Sequence, residues 1–276
     1  MSGAPVSAPV AFVRRARSAL DWRIAMRRYR AGRFRSRTLL RGRGGEPGAP
    51  APIAVIVCLW NRRERIDALL TQLDAQQGPR VRLLLWNNRP ADDDFYRERI
   101  AAYTPHGALA EVSLVSSRVN VGGLGRFFIA RRLRTEGYRG TFVMLDDDQD
   151  VSDHFLADLL AASGPHTIAG YWAWTMSGDY WARVPAFPGD RVSYVGTGGC
   201  ACDIDIVADL SFFTELPRYF AFLEDIWMCG YARKRGWLLR KVDTPVEFVL
   251  DETNQHHTLA ERKAEFYRYL QLDDAV

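Results

Sequence analysis

Four short apolar runs between residues 53 and 146 each stop abruptly at a polar cluster. IAVIVCLW (53–60) meets Asn61–Arg62, and VRLLLW (81–86) meets Asn87–Asn88. EVSLVSS (111–117) precedes Asn120–Gly123, and TFVMLD (141–146) runs into Asp146–Asp148. Their length and β-branched content read as buried strands. Residues 62–76 show helical spacing through Ile66, Leu69, Leu70 and Leu73, and further helices are expected near 92–103, 123–137 and 152–163. Strands alternating with helices imply βαβ units and a mainly parallel α/β sheet covered on both faces. Ligands of such sheets sit at the carboxyl ends of the strands, where all four polar clusters fall.

The second half is less regular. Residues 167–176 and 191–196 read as strands, 196–204 (GTGGCACDI) as a Gly-rich turn, and about 223–235 as a helix. Strands follow at 237–242 and 246–250, then an amphipathic helix at 259–272. The four cysteines are too few for a disulfide framework, and the Cys200–Cys202 pair lacks a second pair at zinc spacing. Reduced thiols fit better. No apolar run is long enough to span a bilayer, and Arg14, Arg15 and Arg17 interrupt any signal-peptide core. These features predict a cytoplasmic protein.

The net charge of +4 hides a division. Residues 1–50 carry 12 arginines against Asp21 and Glu46, a net +10, while the other 226 residues hold 25 basic and 31 acidic side chains, a net −6. Residues 1–50 are therefore set apart as a basic amphipathic arm and Gly/Pro linker, and residues 51–276 as the folded body. Helical spacing runs from Val10 to about Leu40, with Val13, Ala16, Leu20 and Ile24 widened by Trp22, Met26 and Tyr29. That composition suits a helix on an anionic membrane surface met through residues 10–40. Packing on its own domain or on a partner is the alternative, and nucleic acid is not the expected partner. The Arg-rich, acid-poor start also has the composition of a transit peptide.

Asp146, Asp147 and Asp148 directly follow an apolar strand. Clustered carboxylates there need a cation, protons or solvent. Magnesium or manganese characteristically links such carboxylates to substrate phosphates. A calcium loop is excluded, because Val151 stands where Gly is required and Ala157 where Glu is required. A solvated acidic loop is the alternative.

Taken together, these segments resemble the family 2 glycosyltransferases of the GT-A fold, over about residues 53–257. VIVCLWNRRERIDALLTQLDAQ is similar to the family's first strand, polar turn and helix. SRVNVGGLGRFFIARRL resembles the Asn-x-Gly-Gly segment of the galactofuranosyl- and rhamnosyltransferase branch, and FVMLDDDQD its Asp-x-Asp strand end. VGTGGCACDI looks like the Gly-rich acceptor-side turn, and FLEDIWMCGYARKRGW like the Glu-Asp motif with its helix. The resemblance implies a nucleotide-sugar-binding half at 51–150, an acceptor and catalytic half at 151–257 and a C-terminal helix at 258–276.

The resemblance also implies roles. Asp146 and Asp148 would hold a divalent cation, Mn²⁺ or Mg²⁺, with His256 or His257 as a further ligand. Asp225 would be the catalytic base, with Glu224 shaping its environment. Leu59, Asn61, Arg62, Asn120, Gly122, Gly123 and Asp147 would border the nucleotide-sugar donor. Asn87 or Asn88 replaces the family's base-reading Asp, which leaves the nucleotide open. Gly198, Gly199 and Trp227 fall on the acceptor side. Trp172 and Trp174 could stack on sugar faces, and core packing is the alternative. The implied activity is a metal-dependent, inverting, non-processive transfer of a sugar from a nucleotide diphosphate to a hydroxyl. Expected partners are the nucleotide sugar, a glycan or lipid-linked acceptor of cell-envelope synthesis, and the membrane's cytoplasmic face as a peripheral site. A homo-oligomer is compatible with the sequence. A nucleotidyltransferase is a rival, although LWNRRER lacks the glycines of a triphosphate loop. A non-catalytic glycan-binding or scaffold protein of the same fold is another.

Overall fold

The computed structural model describes residues 8–42, 48, 50–249 and 259–270, with side chains from Ser18 onward. The first half runs α1 (Ala8–Arg30), β1 (Ser36–Arg41), β2 (Ile53–Leu59), α2 (Ile66–Asp74), β3 (Val81–Asn87), α3 (Asp93–Ala102), β4 (Leu109–Ser116), α4 (Leu124–Thr135) and β5 (Thr141–Asp146). Then come β6 (Gln149–Val151), α5 (Phe155–Ala161), β7 (Thr167–Gly170), β8 (Ala173–Met176), β9 (Arg183–Pro185), β10 (Tyr194–Val195) and β11 (Cys200–Asp203). The chain closes with α6 (Ser211–Thr214), α7 (Glu224–Arg233), β12 (Leu238–Lys241), β13 (Val246–Phe248) and α8 (Ala260–Leu270).

Eight strands form one sheet in the order β1-β4-β3-β2-β5-β11-β7-β12. Strands β4, β3, β2 and β5 are mutually parallel, so their polar carboxyl ends share one edge. The continuous apolar run of β2 follows from burial on both faces. Ala54, Ile56 and Cys58 face one core, and Val55, Val57 and Leu59 face the other. Gly125 on α4 lies so close to the Trp86 ring that a Cβ there would come within 2.4 Å of it, which draws α4 tightly onto the sheet.

Three expectations change. The predicted turn at 196–204 contains β11, which runs antiparallel between β5 and β7. Its four residues, CACD, are too few and too poor in β-branched side chains to announce a strand. The predicted strand 167–176 is split into β7 and β8 at Tyr171–Trp172, and 191–196 retains only β10 as strand. β10, β8 and β9 make a separate three-stranded sheet. The helix expected to reach Leu40 stops at Arg30, where the Arg33 N–H bonds the Arg28 carbonyl at 2.8 Å. Ser36–Arg41 then pairs antiparallel with β4, so residues that charge had grouped with the arm complete the edge of the sheet.

α1 is fastened through one stripe. Ala25 and Tyr29 are buried, with the Tyr29 ring 5.0 Å from Trp86 and its hydroxyl 3.1 Å from the Ser117 hydroxyl. Leu20 and Ile24 face outward. All four cysteines are free and buried, and burial pushes the thiols of Cys58 and Cys200 up to about 12. Among the described residues no helix is long and apolar enough to cross a membrane.

At the C-terminus of α2, Asp74 organises the approach to β4. Its carboxylate accepts the N–H groups of His106 (2.8 Å), Gly107 (3.1 Å) and Leu109 (3.0 Å) and the Tyr103 hydroxyl (3.2 Å). Burial raises its pKa, but the three amides and the hydroxyl together outweigh burial and hold it below the usual carboxylate value. Asp74→Ala is expected to lower stability by about 3 kcal/mol in denaturant melts at pH 7. Because the folded pKa is depressed, this contribution is present above the unfolded pKa and fades as pH falls through the folded value. The gap between wild type and variant should therefore narrow in acid.

Candidate functional site

Two clefts open at the polar edge of the sheet and meet. The first is lined by Trp60 and Arg62 after β2, Gly122 and Gly123 before α4, Asp146–Asp148 after β5 and Phe222–Asp225 at the start of α7. The second is lined by Trp172, Trp174, Tyr180, Trp181, Tyr194, Gly198 and Phe248. Asp146, Asp148, Thr197, Asp225 and Lys263 border both.

At the junction lies a buried guanidinium. Arg126 stands on α4 at helical spacing with Ala130 and Leu133, so it points where an apolar side chain would. It is 4 % exposed. It pairs with Asp146, donates to Thr197 Oγ1 at 2.9 Å and reaches Glu224 Oε1 at 3.3 Å. Burial works against its charge, yet Asp146 and Glu224 hold its pKa above the ordinary arginine value. The backbone is shaped to fit these carboxylates. A Cβ on Gly123 would lie 1.6 Å from Glu224 Oε1, and one on Gly198 would lie 2.5 Å from Asp146 Oδ2. Only glycine admits such an approach at either place.

A second arginine serves the rest of the acidic run. Arg62 bonds Asp147 Oδ1 and Asp148 Oδ2, each at 2.9 Å. Asp147 also accepts the Trp60 N–H at 2.8 Å. Burial outweighs these partners and pushes Asp147 up to about 7. Burial and the like charge of Asp146 push Asp148 up to about 6 against the pull of Arg62. Burial also raises Glu224, to about 8, against Arg126. Asp225 is held at both oxygens: Oδ2 accepts the Tyr194 hydroxyl and Oδ1 the Ile226 N–H at 2.8 Å.

The sequence-predicted residues separate into groups. Arg62, Gly122, Gly123, Asp146, Asp147, Asp148, Glu224 and Asp225 meet in the first cleft, and Trp172, Trp174 and Gly198 line the second. Gly199 packs behind them against Val246. Asn87 and Asn88 are buried and spend their side chains on loops: Asn87 on Arg89 and Asp93, Asn88 on Trp86, Val121 and Gly122. Asn120 braces the Gly122 N–H at 2.8 Å, Asn61 accepts from Arg89 at 2.9 Å, and Leu59 lies in the core. Trp227 is also turned into the core, with its indole N–H on the Phe212 carbonyl at 2.7 Å, because its place on α7 faces Phe212 and Tyr231. His256 and His257 lie outside the described residues. Sequence reasoning passed over Arg126, Tyr194 and Thr197. A charge on the apolar stripe of a helix was the available sign for Arg126.

The residues present fit a hard cation. Asp146 and Asp148 offer only oxygen donors, and their mutual repulsion favours an added positive charge. Among the described residues these carboxylates do not form a ready three-ligand cage, and the remaining positions would fall to the ligand's phosphates. The group that does converge is His166, Asp203 and Asp205, which could hold a metal but lies at the opposite, amino end of β5. There Asp203 accepts the His166 and Asp205 N–H groups, and Asp205 pairs with Arg134 at 2.5 Å. In the two clefts, Trp60 Nε1, Arg126 Nε, Gln149 Nε2 and Trp172 Nε1 are buried without a hydrogen-bond partner among the described residues.

No protein-family model matches this chain, and no curated protein matches it. Solved structures do. The mannosyltransferase PcManGT from Pyrobaculum calidifontis, in complex with GDP-Man and Mn²⁺, is similar over 96 % of this chain and 76 % of its own, with 14 % identity and a TM-score of 0.54. GalNAc-T7 with UDP, GalNAc and Mn²⁺ is similar over 74 % of this chain and 44 % of its own, with 13 % identity and a TM-score of 0.54. S. aureus TarS 1-349 in complex with UDP matches 70 % of this chain at 15 % identity, but its TM-score of 0.44 carries no weight. The chain spans 57 % of that TarS fragment and 44 % of GalNAc-T7. At such low identity the likeness shows the fold, a GT-A-type α/β architecture.

Arg126→Met should cost roughly 3–5 kcal/mol in chemical denaturation at neutral pH, because Asp146 and Glu224 lose their buried counter-charge. Arg126→Lys should recover only part, since one ammonium cannot span three acceptors.

Proposed function

We propose that this chain is a metal-dependent, inverting, non-processive glycosyltransferase of the family 2 kind, in its galactofuranosyl- and rhamnosyltransferase-like branch. The carrying observation is the convergence of two clefts on Asp146, Asp148 and Asp225. The first takes a nucleotide-diphosphate sugar and the second a hydroxyl-bearing glycan or lipid-linked acceptor. The GDP-Man, UDP and Mn²⁺ named with the fold's neighbours support this donor class.

Asp225 stands between the clefts with its carboxylate aimed by Tyr194 and the Ile226 N–H. In the proposed reaction the acceptor oxygen attacks the anomeric carbon and a C–O bond forms. The bond from that carbon to the diphosphate oxygen breaks, and its electron pair leaves with the diphosphate. The acceptor proton passes to Asp225. Glu224, tied to Arg126, positions the start of α7 and keeps Asp225 in place. Mn²⁺ or Mg²⁺ would be held by Asp146 and Asp148 and would stabilise charge on the departing diphosphate.

Nucleotide-sugar binding and turnover should be measured with Mn²⁺ and Mg²⁺ across UDP-, GDP- and dTDP-sugars. Asp225→Asn is expected to reduce transfer by about 10²- to 10⁴-fold with donor affinity within a few-fold of wild type. Asp146→Ala and Asp148→Ala should each weaken Mn²⁺ binding in a paramagnetic-resonance titration. Donor binding without turnover would favour the non-catalytic reading, and a fully active Asp225→Asn would remove Asp225 as the base.

We further propose a cytoplasmic enzyme of cell-envelope synthesis that rests peripherally on an anionic membrane. The support is the outer side of α1, where Leu20 (57 % exposed) and Ile24 (49 %) lie among exposed Arg23, Arg27 and Arg28. This is the mixed apolar and cationic composition of an interfacial helix. Leu20→Ser with Ile24→Ser should sharply reduce sedimentation with vesicles containing phosphatidylserine without changing the melting temperature. Unchanged sedimentation would reject this role for α1.

A further inference from the structure

The register of the small sheet places a cation among aromatic rings in the second cleft. Trp174 on β8 faces Tyr194 on β10, and Met176, two residues along, faces Arg183 on β9. Side chains two apart on a strand share a face, so Trp174, Tyr194 and Arg183 project to one side. The Arg183 guanidinium lies 4.5 Å from the Trp174 ring centroid, 4.8 Å from Tyr180 and 5.3 Å from Trp181. Its Nε donates to the Tyr180 carbonyl at 3.4 Å. Three rings and a carbonyl thus fix this side chain, which lowers the entropy lost when it takes up a ligand.

What fixes Arg183 is uncharged. Among the described residues it has no carboxylate partner within salt-bridge distance, in contrast to Arg62 and Arg126 at the junction. The same holds for Lys263, whose ammonium lies 5.6 Å from the Tyr180 ring centroid and which also borders the cleft. The rings beside them form a stacked wall: Trp172 to Trp174 at 6.1 Å and Trp174 to Tyr194 at 5.9 Å. Such a wall suits the apolar face of a sugar ring, and a guanidinium fork suits a carboxylate or phosphate. Asp146, Asp148 and Asp225 border the same cleft and would repel an anion, so the charged group must sit toward Arg183 and away from the junction.

We propose that the second cleft selects an anionic acceptor sugar, a uronate or a sugar phosphate, whose charged group pairs with Arg183 while its ring lies on the tryptophan wall. This rests on the glycosyltransferase reading, but its test uses no donor. The protein alone is titrated calorimetrically with methyl glycosides of glucose, galactose and mannose, with the corresponding uronates and 6-phosphates, and with inorganic phosphate. At least one charged sugar should bind about tenfold or more tightly than its neutral counterpart, and the preference should fall with added salt.

Arg183→Gln should bring charged and neutral sugars to within about twofold, while Arg183→Lys should retain part of the preference. If Arg183→Gln does not fold, the Lys variant and the salt series in wild type decide the matter. Equal affinity for charged and neutral sugars, a preference that survives in folded Arg183→Gln, or inorganic phosphate binding as tightly as a sugar phosphate would each overturn the proposal. Loss of nucleotide-sugar binding, by contrast, would overturn the glycosyltransferase reading alone.

Discussion

The site depends on one guanidinium placed where a hydrocarbon would ordinarily go. Arg126 leaves α4 on the helix's buried stripe and ties three separate pieces of chain. These are Asp146 at the end of β5, Thr197 in the glycine-rich turn and Glu224 at the start of α7. A buried charge is costly unless its partners are close and well directed. That cost constrains the neighbourhood: Gly123 and Gly198 lack side chains because carboxylates occupy the space a Cβ would need. The acidic run is therefore a set of paired charges, with Arg126 and Arg62 dividing Asp146, Asp147 and Asp148 between them. Two guanidiniums face these three carboxylates and Glu224, so an arriving cation would enter a site where acidic groups still outnumber basic ones.

The parallel half of the fold was legible because its forces are local and repeated. Each of β2, β3, β4 and β5 carries a mostly apolar run, and the polar residues that follow it all fall at one edge of the sheet. β11 was not legible. Its pairing is antiparallel and non-local, and CACD is held by β5 and β7 rather than by its own propensity. The arm was read for charge but not for topology. The edge of β4 recruits Ser36–Arg41 despite the arginines, which extend into solvent while the backbone pairs.

At the site, residue type was easier to read than direction. Aspartates at a strand end and a Glu-Asp pair at a helix start were visible, and they meet in one cleft. Trp227 and the Asn87–Asn88 pair show the limit, since their types suit a ligand while their side chains serve the core and the loops. Arg126 was hidden for the opposite reason. In a helix with several arginines, only its angular position distinguishes it from Arg131, Arg132 and Arg134, which bond at or near the surface.

The seating of α1 ties two distant parts of the molecule together. Trp22 on this helix stacks on Phe222 at 6.1 Å, and Phe222 in turn lines the first cleft above Gly122. The helix is also pinned at its other end by Tyr29 and by the short connection into β1. It therefore works as a fixed outrigger rather than a tether. A surface that gripped its outer side would set the height and tilt of the cleft mouth, and a tilt of the helix would reach the cleft by way of Trp22 and Phe222.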